Sequence, residues 1–379
     1  MRFPEFHGEW DKCKLGDIAT GFDYGMNAPA KVFDGVNKYI RITDIDEASS
    51  TYNDSDIVSP DGTLTDTYLV NERDILLART GASTGKSYLY KKTDGKLYFA
   101  GFLIRANVPE HNPYFVFSQL HTHRYWKWVS IMSARSGQPG INSQEYSSFP
   151  IYTTSIQEER KISKLLSLLD ERIATQNKLI EKLESLIKGI VDCTILRKEK
   201  NAIVGDVCSI SEQIRAEANI DDIITVRLHG NGVCKSSAEN LQLGATQYYR
   251  RRAGQLIYGK QNFHNGAIGI VPISLDNGIT SKDIPSFDID EMKCNSVYLL
   301  AQLQSPQYYK PAEALTTGTG SKRLKEETFL KLPIVLPNKR EQDNIAVLIH
   351  RASMNLDHAK RLLELLSIQK QFLLRQMFI

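Results

Sequence analysis

The series Ile162, Leu166, Leu169, Ile173, Gln176, Ile180, Leu183, Ile187, Ile190 advances by alternating steps of four and three residues, and it decides the fold. Moving 183 positions along the chain gives Ile345, Ile349, Ala352, Leu356, Ala359, Leu363, Leu366, Lys370, Leu373, a second seam of the same period. A 3.5-residue apolar period kept this long is the signature of a coiled coil. Only Gln176 and Lys370 interrupt the two seams. A polar residue in such a seam either fixes register or sits at its edge, and for Lys370, near a helix end, the edge is expected. Outward positions carry spaced charges such as Glu184 and Lys188, or Asp357 and Arg361, four apart on a helix surface.

The flanks repeat in the same register. Phe149-Pro150-Ile151 precedes the first stretch and Leu332-Pro333-Ile334 the second, again 183 positions apart. Between Ile151 and Lys200 there is no proline and one glycine, Gly189; from Asn338 to Ile379 there is neither. Ser155 stands three before Glu158 and Asn338 three before Glu341, the spacing of a helix-capping pair. Two helices of about 40 residues would each be about 60 Å long, more than a domain of about 150 residues can cover. Each therefore needs a long partner, and the other helix, antiparallel, is the simplest one.

The remaining sequence repeats more loosely. Leu15-Gly16-Asp17-Ile18 is echoed by Val204-Gly205-Asp206-Val207, Asp74 to Leu77 by Gly254 to Ile257, and Gly137 by Gly320. Short aromatic and β-branched runs, such as Lys38 to Ile42, Ile75 to Ala78, Leu97 to Ile104 and Ile268 to Ile273, read as strands. Asn112 to Val129 reads as one helix with an aromatic face. The expectation is an α+β protein: two mixed α/β domains in a pseudo-two-fold arrangement, joined by two long antiparallel coiled-coil helices. The boundaries are residues 1–153 for the first domain, 154–198 for the first spacer helix, 199–337 for the second domain and 338–379 for the second helix.

Composition narrows the function. A net charge of +3 and a sequence pI near 8.4 leave room for a local nucleic-acid patch, not a global basic field. The five scattered cysteines, Cys13, Cys193, Cys208, Cys234 and Cys294, form no C-x-x-C pair, so neither a zinc site nor a disulfide framework is expected. The N-terminus has no apolar signal-peptide core and no run approaches a membrane span, so a cytoplasmic location is expected.

Catalytic motifs are incomplete. Thr80-Gly81-Ala82-Ser83-Thr84-Gly85-Lys86-Ser87 resembles a phosphate-binding loop, but the pattern needs glycine at position 80 and a helix afterwards. Tyr88-Leu89-Tyr90-Lys91-Lys92 reads instead as strand and turn. Asn112-Pro113-Tyr114 lacks the second proline of an adenine-methyltransferase loop and reads as a helix start. His121 and His123 are two apart, so they serve packing or surface. No residue is assigned as catalytic and none as a metal ligand.

Binding chemistry is better represented. Lys and Arg neutralise phosphates, while Arg, Asn and Gln make paired contacts to guanine and adenine edges. In the first domain the DNA-binding candidates are Arg79, Lys86, Lys91 and Lys92, with Arg135, Gln138 and Asn142 before the helix. In the second they are Arg250, Arg251 and Arg252, the densest basic run; the polar loop Lys260, Gln261, Asn262, His264 and Asn265; and Lys322, Arg323 and Lys325.

The alternation of domain, helix, domain and helix resembles the DNA specificity subunit of type I restriction-modification enzymes. Pro337-Asn338-Lys339-Arg340-Glu341-Gln342 with Ile345 is similar to that family's helix-opening phrase. Trp10 with Leu15-Gly16-Asp17-Ile18 resembles its beginning, and Leu373-Leu374-Arg375-Gln376-Met377-Phe378 its end. The first copy departs from the phrase, with Thr154 for the proline and Glu159 for the glutamine. The resemblance implies a non-catalytic subunit whose two target-recognition domains each read half of a split DNA target in double-stranded DNA. It also implies partners: two methyltransferase subunits and ATP-dependent restriction subunits. S-adenosylmethionine, ATP and magnesium would belong to those partners, with no cofactor and no membrane for this chain. A specificity subunit of another restriction class, or a coiled-coil DNA-binding protein without catalysis, is the alternative.

Overall fold

A helix long enough to outrun its own domain has to be covered by something else, and each long helix is covered in two different places. The computed structural model describes residues 2–134, 139–236, 246–318 and 322–378. It divides into two compact units, Met1–Lys178 with Arg361–Ile379, and Leu179–Lys360. Both long helices, α3 (Ile156–Val191) and α5 (Lys339–Met377), therefore contribute to both units. Helices α1 (Pro113–Gln119), α2 (His123–Ser133) and α4 (Ser296–Leu303) belong to the domains.

The two units are built to one plan. In the first, strands β1 (Thr20–Tyr24), β2 (Asp74–Ala78), β3 (Ser87–Leu89) and β4 (Leu103–Asn107) form an antiparallel sheet in the order β1-β4-β2-β3. In the second, β5 (Cys208–Ile210), β6 (Leu256–Tyr258), β7 (Ile268–Ile270) and β8 (Ser286–Ile289) pair in the order β5-β8-β6-β7. Each unit also closes its domain with an antiparallel pair before the long helix. Asp11–Lys14 lies against Pro150–Thr153, and Ala202–Ile203 against Pro333–Ile334. The next bond is shared too: Leu15 N–H donates to Phe149 O at 2.8 Å and Val204 N–H to Leu332 O at 2.9 Å. The echoed L/V-G-D motif thus marks where the chain turns from this closing pair into its sheet.

Several expected elements are shorter than the sequence suggested. Leu97 to Ile104 is not one strand: Leu97–Phe99 pairs parallel with Lys38–Ile40, and a turn at Ala100 to Phe102 separates it from β4. Residues 112–129 are not one helix, because the chain breaks at Leu120 to Thr122 and Thr122 caps a new one through Tyr125 N–H. Ile268 to Ile273 ends as a strand at Ile270.

The apolar seams face inward within each unit. In the first, Ile162, Leu166, Leu169, Leu366, Leu373, Leu374 and Phe378 form one buried cluster with Phe115 of α1. The Trp10 ring lies 5.5 Å from that of Phe115 and 5.9 Å from that of Phe378. In the second, Ile345 and Ile349 join a core containing Tyr298, Leu299 and Leu303 of α4, together with Val191 and Ile195 at the end of the first long helix. Ile195 and Phe378 are 183 positions apart, so each domain is closed by the same point of a different helix. Ile173, Ile180, Leu183, Ile187, Leu356 and Leu363 are half-buried, as expected where only two helices cover each other. Glu184 pairs with Lys360 at 2.8 Å and Lys198 pairs with Glu341, so numbers rise along one helix as they fall along the other. The pairing within this unit is antiparallel.

Lys370 is not idle at the seam's edge. Its ammonium lies 2.7 Å from Asp170, which also accepts the Tyr114 hydroxyl. Beside it the His121 ring donates to Phe117 O at 2.9 Å, and burial and the Lys370 charge push its pKa down to about 4.

The helix starts are tied to the domains by an equivalent pair of buried side chains. Glu159 is fully buried; it accepts Asn112 N–H at 2.8 Å and, on its other oxygen, the His111 ring at 2.8 Å. Gln342, 183 positions on, accepts Asn295 N–H at 2.9 Å and donates to Pro337 O and Lys293 O. Asn112 and Asn295 are themselves 183 apart and each caps its helix through two backbone N–H groups. The Asn-Pro-Tyr sequence is therefore a helix cap. Asn338 caps α5 through Glu341 N–H at 3.0 Å, and Ser155 Oγ accepts Glu158 N–H at 3.4 Å. Glu158 does not complete a reciprocal box. Its carboxylate is buried on Arg2 and Thr154, at 2.6 Å from each. Burial alone would raise its pKa, but the bonds from Arg2 and Thr154 hold it below the usual carboxylate range.

Among the described residues no helix is long and apolar enough to cross a membrane. Leu166→Ala, which opens a cavity in the buried cluster, is expected to lower stability by about 2–5 kcal/mol. Leu168→Ala, at a position 43% exposed, should change it by no more than about 0.5 kcal/mol. Urea unfolding of the two variants against the parent chain measures the difference.

Candidate nucleic-acid interface

A side chain that reads DNA must be presented at the surface from a backbone that does not give way. In the first unit that position is the end of β2. Arg79 N–H donates to Phe102 O at 3.0 Å, and Arg79 O accepts Ile141 N–H at 2.9 Å, so the backbone is held on both sides. The guanidinium lies 4.6 Å over the Tyr24 ring, a cation–π contact that keeps it extended over an aromatic face. Tyr24 hydroxyl accepts Ser143 N–H at 3.2 Å, and this bond, opposed by partial burial, pulls its pKa down. Asn142 is exposed and caps Ser143–Ser147 through Glu145 N–H at 2.9 Å.

The second unit repeats this frame with different side chains. Lys260 N–H donates to Asp283 O at 2.9 Å and Lys260 O accepts Leu324 N–H at 2.9 Å. Lys260 thus occupies the hydrogen-bond position of Arg79, Asp283 that of Phe102, and Leu324 that of Ile141. Around it, the Lys260 ammonium lies 2.7 Å from Glu326, Arg323 lies 3.2 Å from Asp283, and Lys325 and Lys322 are exposed. Gln261 and Asn262 are exposed on the same loop, while His264 and Asn265 are half-buried behind it, with Asn265 amide 3.3 Å from the His264 ring. Gly266 ends the loop in a left-handed turn, where a Cβ would strike the Tyr309 ring. The structure therefore brings Lys260, Gln261, Asn262, Arg323 and Lys325 together, and Arg79 and Asn142 likewise in the first unit, whereas Lys86 lies opposite Ala78 with its ammonium on Glu47.

Other expected members lie elsewhere. Leu89 pairs with Ile75 and Ser87 with Leu77, so Lys91 and Lys92 sit at the opposite end of this strand pair from Arg79, roughly 20 Å along it. Lys92 pairs there with Glu72 at 2.9 Å. Arg250 and Arg252 precede β6 while Lys260 follows it, and both are exposed.

Arg251 is a correction. It is fully buried, and its guanidinium donates to Thr280 Oγ1 at 2.7 Å, Ser286 Oγ at 3.0 Å and Ile284 O at 3.0 Å. Burial pushes its pKa down to about 10. Extended backbone alternates its faces, so Arg250 and Arg252 point out where Arg251 points in. It holds the domain's interior and is not available to a phosphate. Arg135 and Gln138, with Gly137 and Gly320, lie outside the described residues.

The loop resembling a phosphate site has another use. Gly81–Ser83 is a single 3-10 turn, Ser87 opens β3, and Gly85 has φ +91° where a Cβ would meet Val129. A strand, not a helix N-terminus, follows Lys86, whose ammonium lies 3.3 Å from Glu47. Among the described residues no group of three or more His, Cys, Asp and Glu is placed to hold a metal ion. The sequence reading missed Tyr24 and Phe102; a lone aromatic in the Gly101-Phe102 turn was the available signal for the second.

Residues 7–185 match the family model of the type I restriction modification DNA specificity domain. Over 91% of its length it is 21% identical to the MjaVIII type I restriction enzyme specificity subunit of Methanocaldococcus jannaschii, covering 87% of that protein. In fold it is similar to the type I restriction-modification S subunit from M. genitalium, with a TM-score of 0.69, 14% identity and coverage of 98% of this chain and 96% of that one. A structure from a study of type I system assembly and conformational transition is also similar, with a TM-score of 0.50, 13% identity and 97% coverage of both chains.

Arg251→Met is expected to lower stability by about 2–4 kcal/mol, because it orphans several buried acceptors at once. Arg250→Ala and Arg252→Ala should each stay within about 0.5 kcal/mol. Urea unfolding of the three variants distinguishes a structural arginine from surface ones.

Proposed function

We propose that this chain is the DNA-recognition subunit of a type I restriction-modification complex, each domain reading one half of a bipartite target. The observation that carries the reading is the duplicated frame: Arg79 and Lys260 stand at the same hydrogen-bonded position of two copies of one domain. Each is ringed by residues able to contact phosphates and base edges, and the ring compositions differ. A shared scaffold with divergent readers is what an asymmetric target in two halves requires, since base contacts specify and phosphate contacts position.

The chain's part is binding, not bond-making. Methyltransferase subunits and ATP-dependent restriction subunits dock on it, and S-adenosylmethionine, ATP and magnesium are held by them. The complex works in the cytoplasm on double-stranded DNA.

The test is adenine-methylation mapping of a host carrying the methyltransferase genes, with and without this gene. One bipartite motif should lose its methylation when the gene is removed. An identical methylome in a host that expresses every subunit would overturn the reading.

A further inference from the structure

The first unit sets an exposed phenylalanine, Phe102, on a well-held turn. Phe102 is 60% exposed and, among the described residues, belongs to none of the apolar clusters of its unit. The turn that carries it is fixed from both flanks. Gly101 N–H donates to Met26 O at 2.8 Å, Leu103 N–H to Ala100 O at 2.9 Å, Met26 N–H to Phe99 O at 2.8 Å, and Arg79 N–H to Phe102 O itself at 3.0 Å. At Gly25 a Cβ would run into the Ala100 carbonyl, so the backbones approach too closely for any side chain there. The ring therefore projects from a braced support beside Arg79, Tyr24 and Asn142.

The second copy sharpens the point. Its equivalent of Phe102 is Asp283, which is satisfied by Arg323 at 3.2 Å. Where the second domain presents an ion pair, the first presents an exposed aromatic ring. If that turn were only scaffold, a polar residue would serve both copies.

We propose that Phe102 packs its ring against bases of the first half-site, partly unstacking one base step of duplex DNA. The Arg79 guanidinium, extended over Tyr24, neutralises the phosphates alongside. Apolar side chains wedged at a base step are a general way to couple affinity to the deformability of the sequence, which makes Phe102 a specificity-determining residue. The second domain reads its half-site through charge, with Lys260, Arg323 and Lys325 in the matching place. This inference rests on the proposed function, because it needs a cognate duplex.

The experiment uses the chain assembled with its methyltransferase subunits and duplexes carrying the methylated motif. 2-Aminopurine is placed at successive positions of the half-site. The parent complex should raise fluorescence at one step, Phe102→Ala should abolish the rise and Phe102→Trp should keep it. Phe102→Ala should also weaken binding about tenfold or more, as loss of a stacked base contact does, with the slope of log affinity against log salt unchanged. Phe102→Ala that matches the parent in both assays overturns the inference and leaves the proposed function standing. Loss of affinity with an altered salt slope, or failure of the variant to assemble, overturns it too, by placing the ring in a charge-linked or protein contact. A parent complex that binds no duplex overturns both.

Discussion

The backbone N–H groups of Asn112 and Asn295 are what the architecture hangs on. Each opens a helix of its domain, and each donates to a buried side chain at the start of a long helix, Glu159 in one copy and Gln342 in the other. A buried polar group left without a partner is costly, so these bonds hold each domain against its helix in one orientation. The two copies solve one problem with different chemistry. An amide can donate as well as accept, and Gln342 donates to Pro337 O and Lys293 O. A carboxylate can only accept, so Glu159 gathers donors instead, with His111 at the place where the second copy has Cys294.

At Glu159 the first copy departs from the helix-opening phrase that the second copy carries with Gln342. The departure is compensated on the spot and the helix still starts at the same point of the domain. Apolar seams then do the rest. Ile162, Leu166 and Leu169 pack with the end of α5, and Ile345 and Ile349 with the end of α3, so each domain sits on the start of one helix and the end of the other.

Much of this was legible in the sequence because period and repetition are collective signals. The seams, the 183-residue shift and the caps at Asn338 and Ser155 involve many residues that agree. What could not be read were single side chains whose fate is set by tertiary neighbours. Nothing local separates Arg251 from Arg250 and Arg252, yet one anchors Thr280 and Ser286 and the others face out. Lys370 looked like a seam-edge residue until Asp170 and Tyr114 supplied its setting. The break at Leu120 to Thr122 hides inside an aromatic pattern that suits one helix as well as two. In the interface, basic residues were easy to name from composition. Which of them converge on Arg79 and Lys260 depends on strand pairing, and the same pairing sends Lys91 and Lys92 to the other end.

The central claim is that one domain reads one half of the target while the frame stays common. The most direct test replaces residues 20–149, which lie between the closing strand pair's two arms, with the corresponding segment of a known type I specificity subunit. The methylated motif is then mapped in a host expressing the methyltransferase subunits. The account predicts a motif with one half changed, the other half kept and the gap between them preserved. Methylation in which both halves change together, or in which neither does, would contradict it.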